Sequence, residues 1–158
     1  MTRRLLSLLA ICILLCLGSA YIADAQADTI ELPTQVEIQF GSNITFSSSI
    51  ETSSQLTRAV LFIRPVNSSE TLVIEAVIRT EELTQHIESS IEMRPPIFDP
   101  FSIVSYWWQL EFSDGTSQMS STREFRYEDN RFNWQTISDD QISVNWVEGG
   151  ANRGEVIF

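Results

Sequence analysis

Between Tyr106 and Phe112 the chain alternates strictly, with Tyr106, Trp108, Leu110 and Phe112 on one side and Trp107, Gln109 and Glu111 on the other. Successive side chains of a strand point to opposite faces, so this spacing makes a strand with one apolar face. Such a face must be laid against another layer, which commits the neighbouring chain to packed antiparallel sheets. Asp114-Gly115 follows at once, and the glycine supplies the positive φ that a tight hairpin needs.

The same period recurs upstream. Val36, Ile38 and Phe40 alternate with polar residues, and Ile44 and Phe46 resume the pattern after the Gly41-Ser42-Asn43 turn. Residues 58–66 and 71–79 are rich in β-branched and aliphatic side chains and read as a hairpin about the turn-forming cluster from Pro65 to Glu70. Residues 81–93 carry both a four-residue and a two-residue period, and their strand-like flanks and serine-rich interior favour a strand. The prolines at 95, 96 and 100 lack backbone donors and fix φ, so 94–100 is expected to be a rigid crossover. About seven strands result, with a return strand ending near Tyr127. The expected fold is all-β, an immunoglobulin-like or fibronectin-like antiparallel sandwich over residues 28–127. Residues 128–140 read as a polar linker, and 141–158 as the start of a second unit, with Ile142, Val144 and Trp146 on one side of a strand that has no place in the sandwich.

The N-terminus has the three parts of a secretory signal: Arg3 and Arg4, an uncharged apolar run from Leu5 to Leu17, then small residues around Ala25 and Ala27. The run makes about 20 Å of helix at ~1.5 Å per residue, against a hydrocarbon core of ~30 Å. Cleavage within 1–27 is therefore expected, with an extracytoplasmic location, secreted or associated with the cell surface. Both cysteines, Cys12 and Cys16, lie in this segment. The mature chain thus has no disulfide, thiol chemistry or cysteine metal site, and a packed core must supply its stability. Removing Arg3, Arg4 and Asp24 leaves 20 acidic and 8 basic residues, a charge of −12. Nucleic acid and anionic membranes, which need basic patches, are disfavoured as partners.

Few residues offer chemistry. His86 is the single histidine and sits among polar neighbours, so neither a three-ligand zinc site nor a nucleophile with a histidine base can be assembled. Glu128, Asp129, Asp139 and Asp140 are close in sequence, and a carboxylate pair can hydrolyse glycosides. Their linker-like setting predicts ordinary solvated carboxylates instead. Oxygens of Asp129, Asn130 and Asp139 also suggest a calcium site, at a spacing unlike an EF-hand loop. No catalytic, cofactor-binding or metal residue is assigned. The candidate binding surface is Trp107, Gln109 and Glu111, where an exposed indole can stack on a sugar or a partner protein; the preferred reading is that the neighbouring module or arginine stems shield Trp107. Asn43-Ile44-Thr45 and Asn67-Ser68-Ser69 match the glycosylation triplet, a pattern common by chance.

The hairpin Tyr106-x-Trp108-x-Leu110-x-Phe112-x-Asp114-Gly115, then Phe125-x-Tyr127-Glu128-Asp129-x-Arg131-Phe132-x-Trp134-Gln135 and Val144-x-Trp146-x-Glu148-Gly149, resembles the N-terminal region of bacterial, Chloroflexi-type peptidase-MA-like gluzincin metallohydrolases. The resemblance spans roughly residues 40–149. It implies a β-sandwich accessory domain preceding a thermolysin-like zinc peptidase domain, whose His-Glu-x-x-His helix would lie beyond Phe158. Zinc is expected only in that missing domain, which would be the chief partner, and this chain is expected to be non-catalytic and a fragment. Asn145 stands where members of the family tend to carry histidine. The alternative is a stand-alone secreted sandwich that binds a carbohydrate or protein at the cell surface.

Overall fold

The computed structural model describes residues 28–94, 96–150 and 152. The expected signal segment, 1–27, lies outside the described residues, as does most of the stretch after Gly150. Among the described residues twelve strands form: β1 (Asp28–Ile30), β2 (Thr34–Gln39), β3 (Asn43–Glu51), β4 (Leu56–Pro65), β5 (Leu72–Glu75), β6 (Val77–Glu81), β7 (Thr84–Glu92), β8 (Ile103–Phe112), β9 (Ser117–Ser120), β10 (Arg123–Arg126), β11 (Gln135–Ser138) and β12 (Ser143–Trp146).

One sheet runs β2-β3-β7-β6; the other runs β1-β9-β8-β4-β5, with β10 also on β8. All their pairings are antiparallel except that of β1 with β9. This is the strand order of an immunoglobulin-type sandwich, with β2, β3, β7 and β6 facing the sheet built on β8 and β4. The alternation read from sequence places the core between them. Ile44, Phe46, Ile87 and Ile91 come from one sheet, and Leu61, Ile63, Tyr106, Trp108 and Leu110 from the other.

Trp108 takes the central place in the absence of an inter-sheet disulfide. It is fully buried, and its Nε1 donates to Thr34 Oγ1 at 3.1 Å, so the indole links the layers without leaving its polar atom unpaired. Gln85 makes a second tie. Its Oε1 accepts from Leu56 N at 2.6 Å and its Nε2 donates to Ser54 O at 3.1 Å, so a buried amide joins β7 to the entry of β4.

Among the described residues ten strands serve the sandwich rather than about seven, because two runs read as continuous are divided and the short β1 adds a strand ahead of β2. Residues 71–79 do not make one strand. β5 pairs with β4, and after Ala76, whose N–H donates to Ala59 O at 2.9 Å, the chain crosses to pair β6 with β7. The return from Gly115 is likewise split. β9 pairs with residues 109–111 and β10 with 103–106 of the same strand, and between them Ser120 Oγ accepts from Trp108 N at 2.8 Å.

The expected linker 128–140 contains a strand. Its last part, β11, pairs with β12 through Ser138–Ser143, Ile137–Val144, Thr136–Asn145 and Gln135–Trp146. The expected boundary at residue 141 therefore falls inside a hairpin. Asp139 closes its turn, accepting from the backbone N–H of Gln141 and Ile142 at 2.7 and 2.8 Å.

Candidate functional site

Trp107, Gln109 and Glu111 stand together on the outer face of β8, as their odd spacing requires. Across the ladder they meet Phe62, Val60 and Arg58 of β4. The rings of Phe62 and Trp107 stack at 5.4 Å with an interplanar angle of 4°, and the Arg64 guanidinium lies 5.6 Å from the indole centroid. Val60 is only 3% exposed although it belongs to this face and not to the core cluster. Beyond Phe62, its partner Val73 on β5 is 55% exposed. The apolar strip ends in charge, with Arg58 bound to Glu111 at 2.9 Å and to Glu75 at 3.6 Å.

The surface thus contains the three candidates and also Phe62, Val60, Val73 and Arg64. Trp107 is not a bare platform, because Phe62 and Arg64 already engage its ring. A flat ligand on that ring has to displace one of them, whereas contact with the ring edges and Val73 requires no such change. Phe62 carried a signal in the sequence, since Arg58, Val60, Phe62 and Arg64 alternate as an outward set. Its pairing with Trp107 depends on the β4–β8 register, which the pattern of either strand leaves undefined.

A second concentration of polar and aromatic groups joins the sandwich to the hairpin of β11 and β12. Phe101, with φ at +67°, donates its N–H to Tyr127 O at 2.7 Å. Such a backbone is uncommon for a residue other than glycine and is held by its surroundings. Its ring meets Trp134 edge-on at 4.9 Å and lies 5.2 Å from the Arg126 guanidinium. Arg126 also pairs with Glu128 at 3.1 Å and donates through Nη2 to Asn145 Oδ1 at 2.8 Å. Thr136 Oγ1 donates to the same oxygen.

Two carboxylates at this junction, Asp129 and Asp139, depart from the unperturbed state expected of them. Asp129 is buried, accepts from Arg131 Nε and Nη2 at 2.8 and 2.6 Å, and is held below the usual carboxylate range chiefly by those bonds. Its backbone carbonyl accepts from Trp134 Nε1 at 2.9 Å. Asp139 is lowered too, by the two backbone N–H groups of its turn. Two of the three residues proposed for calcium have other partners for their carboxylate oxygens. A guanidinium occupies Asp129, hairpin amides occupy Asp139, and the Asn130 amide points to Ile38 O at 3.5 Å. Among the described residues no three His, Cys, Asp or Glu side chains group as metal ligands. His86 lies at the surface, with Nδ1 2.8 Å from Ser49 Oγ and Nε2 3.8 Å from Glu81.

No protein-family model and no curated protein matches the chain. Solved structures similar to it include one described as "Myokine structure", 10% identical over 65% of this chain and 100% of that one, with a TM-score of 0.48. Astrotactin-2, described as a vertebrate-specific perforin-like membrane protein, is 9% identical over 63% of this chain and 22% of its own, at 0.46. A cycloalternan-degrading enzyme from Trueperella pyogenes is 13% identical over 54% and 14%, at 0.42.

Proposed function

We propose that this chain is a non-catalytic, extracytoplasmic immunoglobulin-like accessory module of a metallopeptidase-like protein. The motif spacing from Tyr106 to Gly149 suggests the family. The observation that carries the reading is the hairpin of β11 and β12, a separate two-stranded sheet fastened to the sandwich through Arg126, Asn145, Phe101 and Trp134. A hairpin built outside the sandwich but held at a fixed place on it suits a joint that orients a further domain. Zinc chemistry then belongs to that domain, and this chain alone should not turn over casein with or without added zinc. Reading the coding sequence past codon 158 is the test. A continuous frame containing His-Glu-x-x-His supports the reading; an in-frame stop followed by unrelated sequence overturns it.

The outer-face strip favours a second reading, a secreted module that binds a carbohydrate or protein at the cell surface through Phe62, Trp107 and Val73. Affinity electrophoresis in soluble cell-wall polysaccharides checks its carbohydrate form. Retardation that disappears in Trp107→Ala supports it, and equal mobility of the two proteins in every polysaccharide removes it.

A further inference from the structure

Of the strands at the edges of the sandwich, β5 is the least guarded. Charges interrupt the others, with Glu37 on β2, Arg79 and Glu81 on β6, and Arg123, Glu124 and Arg126 on β10, while β1 is three residues long and runs into Glu31. Short strands and charged side chains both oppose the pairing of an edge with a further strand. β5 begins with Leu72-Val73-Ile74, and its one charge, Glu75, has the Arg58 guanidinium 3.6 Å away. Among the described residues nothing pairs with its far side.

The backbone groups on that side follow from the register. Ala76 N donates to Ala59 O, one step beyond the Glu75–Val60 pair of β5 with β4. Hydrogen-bonded pairs alternate along an antiparallel ladder, so Ile74 and Leu72 turn their N–H and C=O groups to β4, whereas Val73 and Glu75 turn theirs outwards. The Val73 side chain also ends a row. Trp107, Phe62 and Val73 are successive partners on the outer face of β8, β4 and β5; the two rings are half-buried and Val73 is 55% exposed. The row stops at the strand whose far side is unpaired.

We infer that β5 pairs antiparallel with β5 of a second copy of this chain, about a two-fold axis at Val73. In this register Val73 exchanges two hydrogen bonds with Val73 of the second copy, and Thr71 exchanges two with Glu75 on either side of the axis. Leu72 lies opposite Ile74, no like charges are opposed, and the apolar row continues into Val73, Phe62 and Trp107 of the second copy. A shift of one residue would set outer side chains against inner ones, and a shift of two would set Glu75 opposite Val73 or Glu70 opposite Ile74. The edge therefore complements itself, which selects a second copy over a foreign strand. Two edges of about 13 Å cannot bury the ~1,600 Å² of a standard interface, and the acidity of the chain opposes association. The dimer is accordingly weak and should tighten with added salt, which screens the repulsion. The inference rests on neither reading of the function, since the polysaccharide test turns on Trp107, whose replacement leaves the β5 backbone edge in place.

The experiment is a dilution series of the full chain freed of residues 1–27, from about 1 mM to about 10 µM, where a small interface dissociates, followed by sedimentation and by NMR of backbone amides. The average mass should rise towards twice that of the monomer at the upper end. The Val73 and Glu75 amides should exchange more slowly there, while those of Leu72 and Ile74, already bonded to β4, should keep the same protection throughout. Val73→Pro removes an outward donor and none from the β4 ladder, at an edge position where proline is tolerated, and should leave a monomer. Val73→Lys, which sets two charges opposite each other, provides the reading if the proline variant does not fold. Val77→Lys on the β6 edge should keep the dimer. A chain that stays monomeric at about 1 mM overturns the inference and leaves the edge to a foreign strand. A dimer that persists in a folded Val73 variant, or one lost in Val77→Lys, overturns it too, as does concentration-dependent protection of Leu72 and Ile74 equal to that of Val73.

Discussion

Trp107 and Trp108 are neighbours in sequence and opposites in energetic role. Trp108 is fully enclosed between two sheets, so Trp108→Ala should cost about 3–5 kcal/mol. Trp107 loses mainly its stacking with Phe62, and Trp107→Ala should cost about 1 kcal/mol. Urea unfolding of the two variants measures both values, and equal costs would contradict the face assignment. Asp114 offers a pH-dependent test at the same scale. Hydrogen bonds from Ser54 and Thr116 lower its carboxyl from the ordinary 3.8 to about 2. A depressed folded-state value favours the folded protein above the ordinary value, and the advantage disappears as pH falls towards the lowered one. Melting temperatures of the wild type and Asp114→Ala should therefore differ at pH 6 and converge between pH 4 and 2. A gap that persists unchanged at pH 2 would assign the effect to the loop alone.

Among the elements, β8 was the most legible, because four large residues at period two leave it one possible inner face. β3 and β7 were legible for the same reason. The breaks were not. Ala76 carries no mark of a sheet change, and β5 and β6 read as one run because sheet membership depends on which neighbour each half finds. β11 was missed because Gln135-Thr136-Ile137-Ser138 has a single strongly apolar residue, and four such residues form a strand only when β12 is beside them. The tie between this hairpin and the sandwich yields its own prediction. Arg126→Ala removes the bond to Asn145, the pair with Glu128 and the contact with Phe101, so backbone amides of β11 and β12 should exchange faster while those of β3, β7 and β8 keep their protection. Unchanged exchange in the hairpin would mean that Trp134 and Phe101 hold it without Arg126.

In the whole molecule, stability rests on a sandwich without covalent staples. Both cysteines precede residue 28, so the chain freed of residues 1–27 should melt at the same temperature with and without reductant. A shift in calorimetry would point to a redox-sensitive group within residues 28–158. The acidic charge, the all-β class, the turns at Gly41 and Gly115 and the inward set on β8 follow from sequence alone, because composition and local periodicity are properties of the chain itself. The surface around Trp107 was half readable, since its own strand supplies Trp107, Gln109 and Glu111 whereas Phe62 and Val73 arrive through register. Only the tertiary structure decided the sheet change at Ala76, the burial of Asp129 beneath Arg131, the strained Phe101 and the attachment of the last hairpin through Arg126 and Asn145. Each depends on contacts between segments far apart in the chain, and local patterning cannot specify which distant residue will supply a partner.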